Sequence, residues 1–467
     1  MATSATSGCS RAVAASPETV PASEYTLTIY KDDFAMVHDL RQVNVGNGAS
    51  ELRLPGVSKQ LDPSSVLFDW PGSGPQPEVV STMYNVGVTS SQELLKRMVG
   101  QDVTVVYRGQ NGEPGDKAEG RLEEANQGTV LHTKDSYIID PSGEIHAPAD
   151  KQIVTMPELV ASVQSQSAGQ RQVGLSYLTR GLSWSADYVG LLTPDGKTMR
   201  LECWGTIDNQ TGTNFDHAAL RLVAGSPNRA VQNQVALHQE MPMQVNESRI
   251  TDGALSGGVM AKMPAPVQVA GDLYTYKLPD TASIEQGQMN RARIATAEQV
   301  PITRTYNVSL SEDVPGIQQR IPAQTTIAFL NSQSGGLGIP LPSGTLRAYE
   351  SDEGVRSYIG ASEIADTPKS QRLSLTLSNA FDVFTRANLD SSRRLGKHKT
   401  ERTYTIELHN EKSKEVDMKV TQSFYEAVQL GEQSVKPNKA DSSTLEWRLK
   451  VPAKGVLKLR SEVFLNR

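Results

Sequence analysis

Cysteine and long apolar segments are both scarce in this chain. Cys9 and Cys203 are the only two cysteines among its 467 residues, so no disulfide framework is predicted, although one bridge between them stays open. The CxxC and HxxxH spacings typical of zinc sites do not occur. No run approaches the roughly 18 consecutive apolar residues that a membrane-spanning helix needs. These absences exclude a disulfide-rich miniprotein, a zinc-ribbon module and a helical membrane protein.

An excess of charge of one sign is also missing. The formal net charge is −6, and 46 Lys and Arg residues are dispersed among 52 Asp and Glu residues. A nucleic-acid-binding protein usually carries a basic patch or stripe, so no nucleic-acid partner is predicted. The length and the 37% of hydrophobic residues instead predict a folded protein of several domains.

The first 24 residues are rich in Ala, Ser, Thr and Pro. They lack the apolar segment of about 7–15 residues found in secretory signals, so no native signal is visible and a flexible leader is predicted. Ser7-Gly8-Cys9-Ser10 is similar to the end of a bacterial lipoprotein signal, in which the cysteine becomes acylated. A lipid anchor at Cys9 and a chance match are both left open.

What the chain has in abundance is short β-type runs separated by turn residues. The clearest example spans residues 175–228, where Pro194–Lys197 and Asp208–Asn214 separate three such runs. Gly, Asn and Asp tolerate the positive φ that tight turns demand. Alternation of apolar and polar residues returns between 300 and 467. The pattern predicts a mostly β, multi-domain protein built from antiparallel β sandwiches.

Changes in composition along the chain predict five segments. Ser90 and Glu93 form a capping pattern at the start of a short helix, and five short β runs follow, which is the order of a small Sm-like or SH3-like barrel. Residues 229–299 show no sustained period and predict a flexible insertion. The predicted segments are a flexible leader at 1–24, an antiparallel β unit at 25–88, the barrel-like module at 89–158, a central β domain at 159–395 containing the insertion, and an immunoglobulin-like sandwich at 396–467.

Catalytic candidates are few. The seven histidines are spread along the chain, and the GxSxG pattern of a nucleophile elbow is absent. His217 and Asp216 would need a serine brought close by the fold to complete a triad. They are the catalytic candidates of a hydrolase hypothesis, but the sequence favours a protein that is not an enzyme.

The turn that begins at Asp208 is rich in side-chain oxygens. Asp208, Asn209, Asn214 and Asp216 lie close together in the sequence, and such ligands suit a hard cation such as calcium. Their spacing is not that of an EF-hand, and Asx side chains satisfy backbone groups in turns without any ion. No cofactor is therefore predicted, and a calcium site at this turn is the alternative hypothesis.

Trp184 and Trp204 lie on the first two of these β runs. If both side chains shared an exposed face, they could stack on sugar rings, because a flat apolar face suits an aromatic surface. Large aromatic residues are more often buried in a core. The sequence favours the core, and a sugar-binding pair is the alternative.

Four motifs follow one another in a specific order: LSYLTRGLSWSADY at 175–188, TIDNQTGTNFDHAALRLVAGSP at 206–227, LPSGTLRAYESD at 341–352 and TLEWRLKVPAKG at 444–455. In this order the chain resembles bacterial mucoidy-inhibitor-like proteins, which share a long C-terminal β domain of unknown function. The resemblance covers roughly residues 170–465, with a weaker echo at 25–70. The chain lacks the N-terminal coiled coil of those proteins and carries residues 90–157 instead.

The resemblance implies an exported β-rich protein of the envelope or periplasm with no established activity. We therefore expect a periplasmic or extracellular scaffold or interaction protein without catalytic activity, with or without a lipid anchor. Its partners would be envelope or matrix polymers, or other envelope proteins. One alternative is a hydrolase acting on cell-wall or matrix polymer. Another is a subunit of a surface filament or layer that assembles through strand edges.

Overall fold

The computed structural model describes residues 24–88, 90–108, 113–148, 156–225, 227, 267–269, 273–352 and 354–466. The described residues are 66% strand and 3% helical, which confirms the prediction of a mostly β fold. Cys9 and the predicted leader up to residue 23 lie outside the described residues. No helix in the described part of the chain is long and apolar enough to cross a membrane.

The secondary structure consists of many short strands and few helical turns. The single α-helix of the described residues is α1 (Ser91–Arg97), and 3₁₀ turns lie at Pro63–Ser65 and Gln333–Gly335. The strands before the predicted insertion are β1 (Glu24–Tyr30), β2 (Phe34–Val45), β3 (Gly48–Pro55), β4 (Leu67–Asp69), β5 (Glu78–Asn85), β6 (Asp102–Arg108), β7 (Pro114–Glu124), β8 (Val130–His132), β9 (Tyr137–Ile139), β10 (Glu144–His146), β11 (Glu158–Ser165), β12 (Gly169–Arg180), β13 (Leu182–Leu192), β14 (Thr198–Asn209) and β15 (Phe215–Ala224). The later strands are β16 (Val267–Val269), β17 (Leu273–Lys277), β18 (Ala282–Ile284), β19 (Met289–Pro301), β20 (Thr303–Leu310), β21 (Gly316–Leu330), β22 (Gly344–Asp352), β23 (Val355–Ile364), β24 (Arg372–Arg394), β25 (Lys399–Asn410), β26 (Val416–Ser423), β27 (Ala427–Gln433), β28 (Lys439–Ala440), β29 (Thr444–Val451) and β30 (Gly455–Asn466).

The first large sheet joins two predicted segments. Its order is β16-β17-β15-β1-β2-β12-β4, with β18 also paired to β15. Strands β1 and β15 pair in parallel although they are far apart in the sequence. A smaller sheet, β3-β11-β5, joins the same segments. The predicted division of 25–88 from 159–395 into separate units therefore does not follow the sheets. Hairpin signals in a sequence identify local neighbours and not distant pairing partners.

The predicted helix-led barrel is present as a separate small sheet. Its order is β10-β6-β7-β8-β9, it is nearly closed, and α1 precedes it. The helix starts as its sequence predicts, with the Glu93 backbone N–H donating to Ser90 Oγ at 3.1 Å. Val105, Leu122 and Leu131 form the centre of its own core.

A five-stranded sheet packs over the first large sheet. Its order is β19-β14-β13-β22-β23, and its inner face shares one hydrophobic core with the neighbouring sheets. Strands β17, β18 and β19 occupy much of 273–301, so the predicted flexible insertion at 229–299 is wrong for residues 273–299. The pairing of β19 with β14 shifts register twice. These irregularities interrupt the alternation of apolar and polar residues that identifies a strand in a sequence. Residues 228–266 lie outside the described residues.

The C-terminal sheet is larger than the sequence predicts. Its nine strands have the order β27-β30-β25-β24-β21-β20-β26-β29-β28, with a core of its own around Tyr404 and Trp447. The long strand β24 pairs with β21 on one side and β25 on the other. The predicted boundary at 396 thus falls in the turn between two paired strands, and the unit begins at Thr303.

Candidate functional site

The buried side chain at the centre of the oxygen-rich turn is Asn209. Its Nδ2 donates to the carbonyl oxygens of Thr213 at 2.9 Å and Ile284 at 3.0 Å. Its Oδ1 accepts hydrogen bonds from the backbone N–H of Thr211 at 3.1 Å and from Thr211 Oγ1 at 2.8 Å. The amide group is therefore fully used in closing the turn.

Two of the other calcium candidates also bond within the protein. Asp208 Oδ1 accepts from Gln210 Nε2 at 2.9 Å, and Asn214 Oδ1 accepts from the Gln286 backbone N–H at 2.9 Å. Asp216 is exposed. Within the described ranges, no group of three or more His, Cys, Asp or Glu side chains could hold a metal ion. The turn is held by its own hydrogen bonds, and calcium at this place stays a prediction.

Asp216 and His217, the catalytic candidates, lie exposed in an irregularity of β15. The pairing of β15 with β18 shifts between Phe215 and Ala218, and His217 has a φ of 50°. The His217 backbone N–H donates to Ser283 Oγ at 3.2 Å. Among the residues described, no serine hydroxyl is hydrogen-bonded to the His217 imidazole, so the structure does not assemble the predicted triad around it.

Two other serines contact a basic side chain. His38 Nδ1 and Ser176 Oγ lie 2.9 Å apart across β2 and β12, and Lys31 Nζ donates to Ser343 Oγ at 2.8 Å and to the Ser343 carbonyl oxygen at 2.6 Å. Burial lowers the pKa of Lys31, and nearby Asp366 opposes that shift. Nothing in the sequence identifies these contacts, because the partners are 138 and 312 residues apart.

The two tryptophan candidates lie on opposite faces of the five-stranded sheet. In the register of β13 and β14, Trp184 is opposite Ile207 and Trp204 is opposite Asp187. Side chains alternate between faces along a strand, so Trp204 and Ile207 point in opposite directions. Trp184 is 3% exposed, and its Nε1 donates to the Val223 carbonyl oxygen at 2.9 Å. The structure therefore does not bring the two rings together as a sugar-binding pair.

Trp204 lies half-buried on the outer face of this sheet. Its Nε1 donates to Glu202 Oε2 at 3.1 Å, which fixes the orientation of the indole. The guanidinium groups of Arg291 and Arg293 lie over the ring, 4.6 and 5.7 Å from its centroid. Neither arginine forms an ion pair with a carboxylate of the described residues. Both guanidinium groups are exposed beside the indole, and the charge of Arg291 also helps to lower the pKa of Asp187.

Asp187 extends the same polar surface onto the next strand. Its Oδ2 accepts from Thr206 Oγ1 at 2.7 Å, and its Oδ1 accepts from Arg347 Nη1 at 2.9 Å. Burial alone would raise the pKa of Asp187, but these two hydrogen bonds, together with the charges of Arg347 and Arg291, outweigh it and the pKa is lowered. We call this surface the tryptophan face, and it comprises Asp187, Glu202, Trp204, Thr206, Arg291, Arg293 and Arg347.

A polar cleft of about 700 Å³ lies between the turn at Pro194 and the nine-stranded sheet. Its walls carry both signs of charge, and several of these groups already contact each other. Arg304 pairs with Glu350 at 3.4 Å, and Lys414 Nζ donates to the Pro194 carbonyl oxygen at 3.3 Å. Because its charges are largely balanced, the cleft indicates no single class of ligand.

One family model matches the sequence from within β12 to within β30. The match covers residues 173–465, more than half of the chain. The chain belongs to the DUF4139 family, a domain of unknown function. The DUF4139 region contains the whole tryptophan face and the nine-stranded sheet, and it leaves β1 to β11 and α1 outside. No curated protein matches the chain.

Proposed function

We propose that this protein is an exported bacterial scaffold without catalytic activity that binds acidic envelope or matrix polymers. It would act in the periplasm or outside the cell, in keeping with its resemblance to mucoidy-inhibitor-like proteins. The observation that carries the proposal is Trp204 beneath two exposed arginines that form no ion pair with a carboxylate of the described residues.

The chemistry of the tryptophan face suits a charged sugar polymer. A guanidinium group binds a carboxylate or sulfate through two parallel hydrogen bonds, and an indole ring packs against the apolar face of a sugar. In the sheet, Arg293 is opposite Trp204, and Trp204 is opposite Asp187. Neighbouring strands lie about 4.8 Å apart, so this row presents regularly spaced groups on a rigid support. Such a row fits an extended polymer better than one small molecule.

Co-sedimentation tests this function directly. The purified full chain is incubated with isolated bacterial envelope or acidic matrix polysaccharide, and the pelleted protein is measured. We expect the wild type to pellet and Trp204→Ala to bind at least about tenfold more weakly. Tyr425→Ala is the matched control, because Tyr425 is 76% exposed on the C-terminal unit. Equal pelleting of wild type and Trp204→Ala would contradict the proposal.

The same assay separates the calcium hypothesis from the proposed binding. Chelation of calcium should leave pelleting unchanged, because the contacts of the tryptophan face need no ion. A calcium requirement that disappears in Asp208→Asn and Asp216→Asn would instead make the turn an ion site.

A hydrolase acting on cell-wall or matrix polymer is the second candidate. It is favoured by the contacts of Ser176 with His38 and of Ser343 with Lys31, because a serine nucleophile needs a base at hydrogen-bonding distance. A fluorophosphonate probe should then label the wild type. The label should be lost in the variant that lacks the nucleophile, either Ser176→Ala or Ser343→Ala. His217→Ala tests the sequence-based candidate in the same experiment, and an unlabelled wild type would argue against a serine hydrolase.

A further inference from the structure

A second aromatic group lies on the outer face of the five-stranded sheet. The rings of Tyr349 on β22 and Tyr358 on β23 contact each other, with centroids 5.6 Å apart and an interplanar angle of 62°. Tyr358 is 59% exposed. We call these two residues the tyrosine pair.

The register of the sheet places the tyrosine pair on the same face as Trp204. Tyr349 is opposite Leu191 of β13, and Leu191 is opposite Arg200 of β14. Arg200 lies four residues from Trp204 on the same strand. Side chains at an even spacing along a strand project from one face, so the two aromatic groups share the outer surface of the sheet.

An irregularity in β23 turns Tyr358 toward this face. Gly360 is opposite Ala348, but Tyr358 rather than Ile359 is opposite Tyr349. The extra residue makes a β-bulge, and a bulge changes the direction of the side chains that follow it. Ile359 instead packs, partly buried, against the main hydrophobic core. In a regular strand Tyr358 would face the other side of the sheet, so the bulge is what brings its ring beside Tyr349.

The acidic side chains between the two aromatic groups are paired with arginines. Glu202 contacts Arg200 at 2.9 Å, and Asp187 accepts a hydrogen bond from Arg347 at 2.9 Å. The pKa of Arg347 is raised by this hydrogen bond and, to a smaller extent, by the nearby tyrosine pair. Arg347, whose side chain is 47% exposed, therefore lies between the tryptophan face and the tyrosine pair.

The two aromatic groups are separated diagonally across the sheet. The register leads from Trp204 to Tyr358 over three strand spacings and four residues along the strands. At roughly 4.8 Å per strand spacing and 3.3 Å per residue, the separation is about 20 Å. A single sugar ring is too short to contact both groups, whereas an extended chain of several sugars reaches from one to the other.

Charge favours this diagonal over a straight path across the strands. The straight row through Trp204 continues over Asp187 and Thr345 and ends at Glu363 on β23, an exposed carboxylate. Like charges disfavour binding, so Glu363 would repel the acidic groups of a polymer on that path. The diagonal passes the guanidinium group of Arg347 and ends at the uncharged tyrosine pair.

We propose that one acidic polymer chain binds along this diagonal, from the tryptophan face to a sugar ring packed against the tyrosine pair. The inference rests on the polymer binding proposed above, and it adds that the ligand is an extended chain of several sugars. Two contacts made by one ligand reinforce each other, because the second becomes intramolecular once the first has formed. The affinity should therefore rise when the chain is long enough to span both aromatic groups.

Isothermal titration calorimetry of the full chain with a trisaccharide and an octasaccharide of the same polyuronate tests this inference. We expect the wild type to bind the octasaccharide at least about tenfold more tightly than the trisaccharide. Tyr358→Ala should lower the octasaccharide affinity at least about fivefold and leave the trisaccharide affinity unchanged. Tyr358→Phe keeps the ring and should bind both ligands like the wild type.

Tyr137→Ala is the matched control. Tyr137 is 63% exposed, close to the value for Tyr358, but it lies on β9 of the separate barrel-like sheet. This variant should bind both oligosaccharides like the wild type. A longer chain also offers more ways to bind at one site, so the loss in Tyr358→Ala, and not the effect of length alone, decides the question.

The outcomes separate this inference from the proposed function. A wild type that binds neither oligosaccharide would contradict polymer binding and the inference with it. An octasaccharide affinity that is the same in Tyr358→Ala and the wild type would overturn the inference alone and leave binding at the tryptophan face intact. Thermal unfolding shows whether Tyr358→Ala is folded. If it is not, Tyr358→Thr replaces it with the same expected result, because threonine favours strands.

Discussion

Arginine packs against an aromatic ring on two different sheets, with different consequences. Phe384 on the nine-stranded sheet lies between neighbouring strands, with Arg320 4.0 Å from its centroid and His409 stacked at 4.5 Å. Phe384 is only 7% exposed, whereas Trp204 stays half-buried with its arginines at the surface. The same kind of cation–π contact therefore covers the ring of Phe384 and leaves the indole of Trp204 partly accessible. We therefore expect the Phe384 stack to contribute to stability, and we propose the tryptophan face as the binding surface.

The largest effect should come from Phe384→Ala. Removing a buried ring leaves a cavity, and we expect the free energy of unfolding of the nine-stranded sheet to fall by about 3 kcal/mol. Phe381→Ala is the control, because Phe381 is 81% exposed although Arg320 also lies over its ring at 4.8 Å. It should cost no more than about 1 kcal/mol in urea denaturation. Equal costs would show that the stack is not what stabilises this sheet.

Trp204→Ala should affect polymer binding more than stability. We expect a loss of about 1–2 kcal/mol in the free energy of unfolding, because the half-buried ring gives up fewer contacts than Phe384. Polymer binding should weaken at least about tenfold, while Phe384→Ala, once shown to be folded, should bind like the wild type. The comparison fails if both variants lose binding to the same extent.

Replacing both Arg291 and Arg293 by Ala should reduce the salt dependence of polymer binding. Salt screens exposed charges, so wild-type binding should weaken as ionic strength rises. Without the two guanidinium groups, binding at low salt should be several-fold weaker and change little with added salt. Arg356→Ala, at an exposed position of β23 in the same sheet, is the control and should keep the wild-type salt dependence. An unchanged salt dependence in the double variant would show that the two arginines do not contribute to polymer binding.

The smallest effect concerns acid stability. The pKa of Asp187 is lowered, since hydrogen bonds from Thr206 and Arg347 and the nearby arginine charges outweigh burial. The pKa of Glu407 is lowered mainly by its hydrogen bond with Lys458. A lowered pKa stabilises the folded state above the unfolded value near 4, and this contribution is lost as pH falls through the folded value.

Urea denaturation between about pH 6 and 3 measures this contribution. Asp187→Asn and Glu407→Gln should each flatten the decline in stability toward acid pH slightly, because both groups are partly screened by solvent. A steeper decline in either variant would contradict the assigned pKa direction.

Local patterns predict the strand content and the start of α1. Ser90 caps the helix because its hydroxyl satisfies a backbone N–H, a rule that depends on neighbours in the sequence alone. The pairing of β1 with β15 is not predictable in this way, since it depends on competition among distant strands. The separation of Trp184 and Trp204 follows from hairpin register, which the sequence leaves undetermined.

The oxygen-rich turn shows why composition alone misleads. Asn209, Asn331 and Asn410 are all fully buried at strand ends, and each donates through Nδ2 to carbonyl oxygens of the loop that follows. The turn after Asn410 is rich in Glu, Lys and Ser, and it is closed in the same way. A buried asparagine is therefore the common feature of these turns. The additional Asp and Asn residues after Asn209 are not needed to explain its turn.

Intrinsic fluorescence tests the central claim most directly. Trp204 is the half-buried member of the four tryptophans, since Trp70, Trp184 and Trp447 are buried. Titration with a soluble polyuronate should shift the emission saturably, and a neutral glucan should not. In Trp204→Phe the shift should disappear. An equal shift in Trp204→Phe, or an equal response to the neutral glucan, would contradict binding of acidic polymer at the tryptophan face.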